Sequence, residues 1–175
     1  MSFNNVLPLA VGSSSTSASF AGNLGEVYEV GNTGAPGWKL YRMCKCGAVA
    51  LAKNAVVSTA FSAGQQTWVV AVTAVANDPN VAGVVPADVG TTGVPIGAYF
   101  LLQIGGAALA NAAATTLTNT SLGPVLASGT AGTVQAFTAV TDPAVVMAAA
   151  LGQATNTAGI TAAGLPIAVW LEGLL

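Results

Sequence analysis

Alternation of apolar and polar positions gives the first structural signal in this chain. In KLYRMCKCGAVAL, starting at Lys39, a period of two puts Leu40, Arg42, Cys44 and Cys46 on one side and Tyr41, Met43 and Lys45 on the other. That period predicts a β-strand, although neither side is purely apolar. TWVVAVTAVAN, starting at Thr67, is β-branched and almost continuously apolar, as in a strand covered on both faces. AYFLLQI, TVQAFTAV and IAVWLEGL read in the same way. Between these runs stand GQQ, NDPN, PADVGTTG, NTSLG, SGTAG, TDP and TNTAG, at intervals that suit short strands joined by turns. Pro86, Pro95, Pro124, Pro143 and Pro166 fall where such strands start or end.

Two Ala-rich stretches compete with this reading. Pro143 behind Asp142 suits a first helical turn, which predicts a short helix over Ala144 to Leu151. Gly105, Gly106 and the Thr run predict small-residue β structure and turn over Ala107 to Thr118 instead. Residues 1–37 differ in texture. Ser13 to Ser19 reads SSSTSAS, glycines interrupt the stretch from Gly22 to Gly37, and Phe3, Leu7, Leu9, Phe20, Leu24 and Tyr28 punctuate the segment singly. This is an extended N-terminal arm that docks by isolated anchors, or a disordered tail.

Three phrases return in the same order. CGAVALAKN at Cys46 is echoed by GGAALANAA at Gly105, NDPN at Asn77 by TDPA at Thr141, and GVPIGAYFLL at Gly93 by GLPIAVWLEG at Gly164. Their separations are 106 − 47 = 59, 142 − 78 = 64 and 164 − 93 = 71 residues, so the second copy is longer mainly at its turns. The echoes predict a mainly β chain with an antiparallel barrel or sandwich body over 38–175. Its possible repeat units are 38–104 and 105–175, each opening its last core strand with a glycine and a proline.

Composition sharpens the picture. Only 6% of the 175 residues are charged, where about 25% is usual, while 53% are hydrophobic and mean hydropathy is +0.69. The exterior must therefore consist largely of Gly, Ala, Ser, Thr and Asn, a surface suited to being covered by other protein. A net charge of −2 leaves no electrostatic footprint for nucleic acid. Lys39, Arg42, Lys45 and Lys53, interleaved with Trp38 and Tyr41, read as a solvated strand face or as the site of an acidic partner subunit. No charge occurs between Asp88 and Asp142, yet Gly97, Gln103, Gly105, Gly106 and Asn111 interrupt the run and no base flanks it, which argues against a membrane helix. The N-terminal stretch lacks the positive region of a secretory signal.

Catalytic groups are few. There is no histidine, hence no Ser/His/Asp triad, Cys/His pair or imidazole ligand. Asp78 and Asp142 precede prolines in apparent turns, where carboxylates bond nearby amides, and Glu26 and Glu29 lack further oxygen ligands at calcium-loop spacing. Cys44 and Cys46 read as small packed strand residues, or as half of a metal site shared between subunits. The expectation is a protein without enzymatic activity, cofactor or metal.

The leader running into GEVYEVGNTGAPGWKLYRMCKCGAVALAKN, the strand phrase GVPIGAYFLLQIGGAALA and the closing ALGQATNTAGITAAGLPIAVWLEGLL resemble the decoration, or cement, proteins of tailed bacteriophage heads. The resemblance covers most of the chain from about Gly25, and rests on texture and order of phrases. It implies a homo-oligomeric (trimeric or dimeric) virion protein on the capsid exterior, assembled in the host cytoplasm, that bridges major capsid subunits. Candidate partner-binding residues are Phe3, Leu7, Phe20, Leu24, Tyr28, Trp38, Lys39 and Arg42. The alternative is a head fibre or adhesin-like module that binds a host glycan or protein.

Overall fold

A computed structural model describes residues 6–31, 37–62, 65–73, 76, 78, 80–113, 124–127, 130–136, 150–154 and 166–172. The strands are β1 (Ser14–Ser15), β2 (Val27–Val30), β3 (Lys39–Cys46), β4 (Val56–Ser62), β5 (Gln65–Val72), β6 (Val81–Val84), β7 (Tyr99–Asn111), β8 (Pro124–Ala127), β9 (Val134–Ala136), β10 (Ala150–Ala154) and β11 (Pro166–Glu172). One 3-10 helix, Ala18–Asn23, lies in the leader. No helix among the described residues is long and apolar enough to cross a membrane. The fold is mainly β, as the alternation predicts.

Five strands close into a barrel in the order β3, β5, β4, β6, β7 and back to β3. Only β3 and β5 run parallel in this ring, through Lys45↔Val69 and Cys46↔Val70. Phe100, Leu102 and Ile104 of β7 fill the interior with Leu40, Cys44 and Cys46 of β3, Val57 and Val70. Both thiols are therefore packing groups. Burial pushes the Cys44 thiol up to about 12, where it is inert at neutral pH, despite the opposing charge of Arg42. The other side of β3 carries Tyr41 and Met43, which join Tyr28, Tyr99 and Leu101 in a separate core. A single period-two pattern thus sorts β3 into two cores, one inside the barrel and one outside.

The remaining strands repeat that connectivity. β7 pairs with β11, β11 with β10, β10 with β8 and β8 with β9, all antiparallel, and a parallel bridge from Ala112 to Val134 returns β9 to β7. The matched registers agree in detail. Cys46↔Val70 corresponds to Ala112↔Val134 (112 − 46 = 66 and 134 − 70 = 64 residues apart), and Val57↔Gly83 corresponds to Val125↔Gly152 (125 − 57 = 68 and 152 − 83 = 69). Each of the latter pairs lies beside a register shift.

β7 belongs to both rings. Its first half pairs with β3 and its second half with β11, and the two partners overlap at Gly105 and Gly106, one on each edge of the strand. There Leu40 faces Gly105 while Tyr41 faces Gln103, so Ile104 is the extra residue of a bulge. Gly106 comes next with φ +81°, and a Cβ on it would stand 2.1 Å from the Trp38 carbonyl oxygen. Gln103, itself buried, donates from Nε2 to the carbonyls of Gly105 (3.2 Å) and Ala107 (2.7 Å), holding the bend from within.

Some expectations change. The outward face of β5 is not covered: Val70 is buried, but Val69 is 37% exposed and Ala71 is exposed, because β5 forms barrel wall with solvent outside. Pro95 does not open a strand. It precedes a turn at Ile96 and Gly97 (φ +74°), and β7 starts only at Tyr99, whereas Pro166 is the first residue of β11. The first and third echoes are therefore out of register with the structural repeat by several residues. The helix expected over Ala144 to Leu151 lies mostly outside the described residues, and its end, Ala150 and Leu151, is strand. Asp142 and Pro143 lie outside them too.

Asp78 ties three strands of the first ring. Its carboxylate accepts from Ser58 Oγ in β4, from Thr73 Oγ1 beyond β5 (3.0 Å) and from the Asn80 amide before β6 (2.9 Å). Burial alone would raise its pKa, but the Ser58, Asn80 and Thr73 bonds outweigh burial and the net shift is downward.

Urea unfolding monitored by circular dichroism tests both devices. Gly106→Ala should cost roughly 2–4 kcal/mol, since it combines left-handed strain with a backbone clash, whereas Gly22→Ala, with open space around it, should be nearly neutral. Asp78 has a depressed folded pKa, so its contribution is complete above the unfolded carboxylate value near 4 and disappears as pH falls through the lower folded value. Asp78→Asn should lose about 2 kcal/mol at pH 7 and show a flatter loss below about pH 4 than the native chain.

Candidate functional site

The leader does not stand away from the body. β2 pairs with β3 from Val27↔Arg42 to Val30↔Lys39, and β1 pairs with the start of β7. Leu7, Leu9, Val11, Phe20 and Leu24 pack on the outer core of Tyr28, Tyr41, Met43, Tyr99 and Leu101. Phe20 meets Tyr99 with ring centroids 6.4 Å apart. Tyr28 is only 1% exposed, and its hydroxyl donates to Glu26. Of the five leader residues among the partner-binding candidates, Leu7, Phe20, Leu24 and Tyr28 thus engage this chain's own sheet, because the outer face of β3 and β7 is too apolar to be left in water. Phe3 lies outside the described residues.

The basic segment disperses. Arg42 is not on a solvated face: it is 6% exposed, with its guanidinium 4.1 Å from the centre of the Trp68 ring. Trp68 has φ +53° at a bulge between β4 and β5, and its indole lies against Gly25, where a Cβ would approach to 2.3 Å. Gly25 (φ +85°) lets the leader pass at that point. The Lys45 ammonium sits 5.4 Å from the Tyr99 ring centre, and Lys53 is exposed.

Lys39 lies elsewhere, at a cleft of about 250 Å³ that it lines with Tyr41, Asp88, Gln103, Leu109 and Ala168. Burial, and then the Asp88 carboxylate, push the Tyr41 phenol up to about 12. The cleft opens beside the outer face of β7 and β11. On that face Ala107 stands opposite Trp170, Leu109 opposite Ala168 and Asn111 opposite Pro166. Leu109 is 42% and Trp170 39% exposed, and the Trp38 ring lies 6.2 Å from that of Trp170. A second apolar site occupies one end of the first barrel, where Val49 and Ile96 are exposed on loops joined by Leu51↔Val94 and by the Gly97 amide to the Cys46 carbonyl. These loops, GAVA and GTTGVPIG, carry no charge.

Leu109 and Trp170 are not among the sequence-derived candidates because Trp170 lies in a phrase that reads as a core strand and Leu109 in one that reads as small-residue β structure and turn. The signal is present in the alternation, since ALAN and IAVWLE each put a large apolar residue on the side opposite their buried alanines and valines. Among the described residues no three of Cys, Asp and Glu stand together as metal ligands.

The leader contact yields an alkaline prediction. Burial, with the Glu26 bond and charge, pushes the Tyr28 phenol up to about 12, above the usual value near 10. Its contribution is complete below pH 10 and fades as pH rises through 12. Urea midpoints between pH 9 and 12 should fall over that interval in the native chain and fall less in Tyr28→Phe. Comparison of the chain with protein-family models, with curated proteins and with solved structures finds no match.

Proposed function

We propose that this protein is a structural component of a phage virion, which binds the outside of the shell formed by the major capsid protein and stabilises it by bridging neighbouring subunits. The observation that carries this reading is a pair of uncharged stretches at one end of the first barrel, 47–50 and 90–97, where Val49 is 57% and Ile96 60% exposed. Such a surface loses little hydration when protein covers it. Moderate affinity at each site suffices, since a shell repeats its acceptor many times. The leader takes a different part from that of a free arm: it covers the chain's own sheet, so contact with the shell falls to the body. Cutting the leader away would uncover Tyr41, Met43, Tyr99 and Leu101, and loss of binding after that cut would report unfolding as readily as a lost contact.

The test mixes the full chain with shells stripped of accessory proteins, followed by sedimentation and imaging. Decorated shells that survive heat and osmotic shock better than bare ones are expected, with Val49→Asp and Ile96→Asp each weakening binding about tenfold or more while the fold persists. Bare and mixed shells of equal stability, with no protein on them, would remove the proposal. Retention instead on host-surface glycans or proteins would favour the adhesin reading.

A further inference from the structure

The geometry points to the outer face of β7 and β11 as a docking surface for a second copy of this chain, related by a two-fold axis. The repeat provides an internal comparison. Tyr41↔Gln103, Met43↔Leu101 and Lys45↔Tyr99 join β3 to β7 in the first ring, and at the same spacing Ala107↔Trp170, Leu109↔Ala168 and Asn111↔Pro166 join β7 to β11 in the second. The two faces are equivalent positions of one topology. In the first ring the leader covers this face, with Leu7, Leu9, Val11, Phe20 and Leu24 lying over Tyr41, Met43, Tyr99 and Leu101. In the second ring Leu109 and Trp170 are left 42% and 39% exposed. One unit thus shows what this surface requires, and among the described residues the other has no counterpart of that cover.

The relief of the bare face says what covers it. Two successive cross-strand pairs each set a large residue beside a small one, and the large residue changes strand between them: Trp170 on β11 opposite Ala107, then Leu109 on β7 opposite Ala168. Sheet faces pack about 10 Å apart with their side chains interdigitated. A checkerboard of knobs and hollows is self-complementary under a two-fold operation, so Trp170 of one copy can enter the hollow at Ala107 or Ala168 of the other. Charge agrees with shape. The adjoining cleft carries one base, Lys39, and one acid, Asp88, and a two-fold can set Lys39 of each copy against Asp88 of the other. Trp38, 6.2 Å from Trp170, extends the apolar centre.

The inference stands apart from shell binding, and its first measurement needs no shell. Sedimentation velocity of the full chain from about 1 to 100 μM should give a dimer, with tryptophan emission moving to shorter wavelength as it forms. Leu109→Asp and Trp170→Ser should each weaken dimerisation roughly thirtyfold or more, with circular dichroism and the urea midpoint showing that the fold persists. Val49→Asp and Ile96→Asp, on the other apolar site, should leave the dimer unchanged. A native chain that stays monomeric at 100 μM overturns the inference, as does a dimer indifferent to both face variants. A monomer whose face variants fold but no longer bind shells would assign the face to the shell and equally exclude a second copy.

Discussion

The whole arrangement depends on one strand serving two rings. A β-strand offers two edges, and β7 could not supply the closing strand of the first ring and the opening strand of the second if it ran straight, because both rings would then compete for the same edges. The bulge at Ile104 and Gly105, with the left-handed turn of backbone at Gly106, re-aims the strand between its two partners. Only glycine meets the demand at 106, where the Trp38 carbonyl occupies the space of a side chain. Gln103 supplies the complementary part by donating to the carbonyls at 105 and 107 from a buried position, where unpaired acceptors would be costly. Geometry that ordinarily ends a strand here joins two units.

That joint shapes the distribution of apolar residues. In the first ring the strands are lined by large side chains on both sides, with Phe100, Leu102 and Ile104 inward and Tyr99 and Leu101 outward, which obliges the leader to form the outer layer. In the second half of β7 the inward positions shrink to Ala108, Ala110 and Ala112, which pack with Val134, Val169 and Leu171 and with Val56 and Val84 of the first ring. Small residues let the second unit lie close to the first. Val56 donates its amide to the Gly132 carbonyl and Gly132 donates to Thr73, so the turn before β9 is also bonded to the first ring. Nearly all of this contact is uncharged, consistent with a chain in which only 6% of residues are charged.

Much of the fold was legible because period-two alternation reports facing directly. KLYRMCKC separated Leu40, Cys44 and Cys46 from Tyr41 and Met43 correctly, and the mixed character of both sides reflected two cores instead of one core and solvent. The strand connectivity recurs, but not in the register of the echoed phrases. Phrase matching aligned Pro95 with Pro166, whereas the ladders align Tyr99 with Pro166, since hydrogen-bond register obeys facing and bulges and is indifferent to a shared proline. Arg42 misled for a similar reason: a base in a strand reads as solvated until Trp68, far along the chain, is seen to cover it. The leader anchors were recognisable as anchors, but nothing local in residues 7–28 could name the surface on which they settle.

Two units of one topology present equivalent outer faces, yet the first carries Tyr41, Met43 and Tyr99 and is covered by the leader, while the second carries Ala107, Leu109 and Pro166 and, among the described residues, is not. A face bearing several large aromatic and aliphatic residues could not remain in water without driving aggregation. A face on which alanines alternate with one leucine and one tryptophan can remain open in an isolated chain and still release useful free energy when another surface closes over it, because hydrophobic gain scales with the apolar area removed from water. The substitution of small for large residues between equivalent positions therefore distinguishes a face that must be sealed during folding from one that can be sealed afterwards, by association.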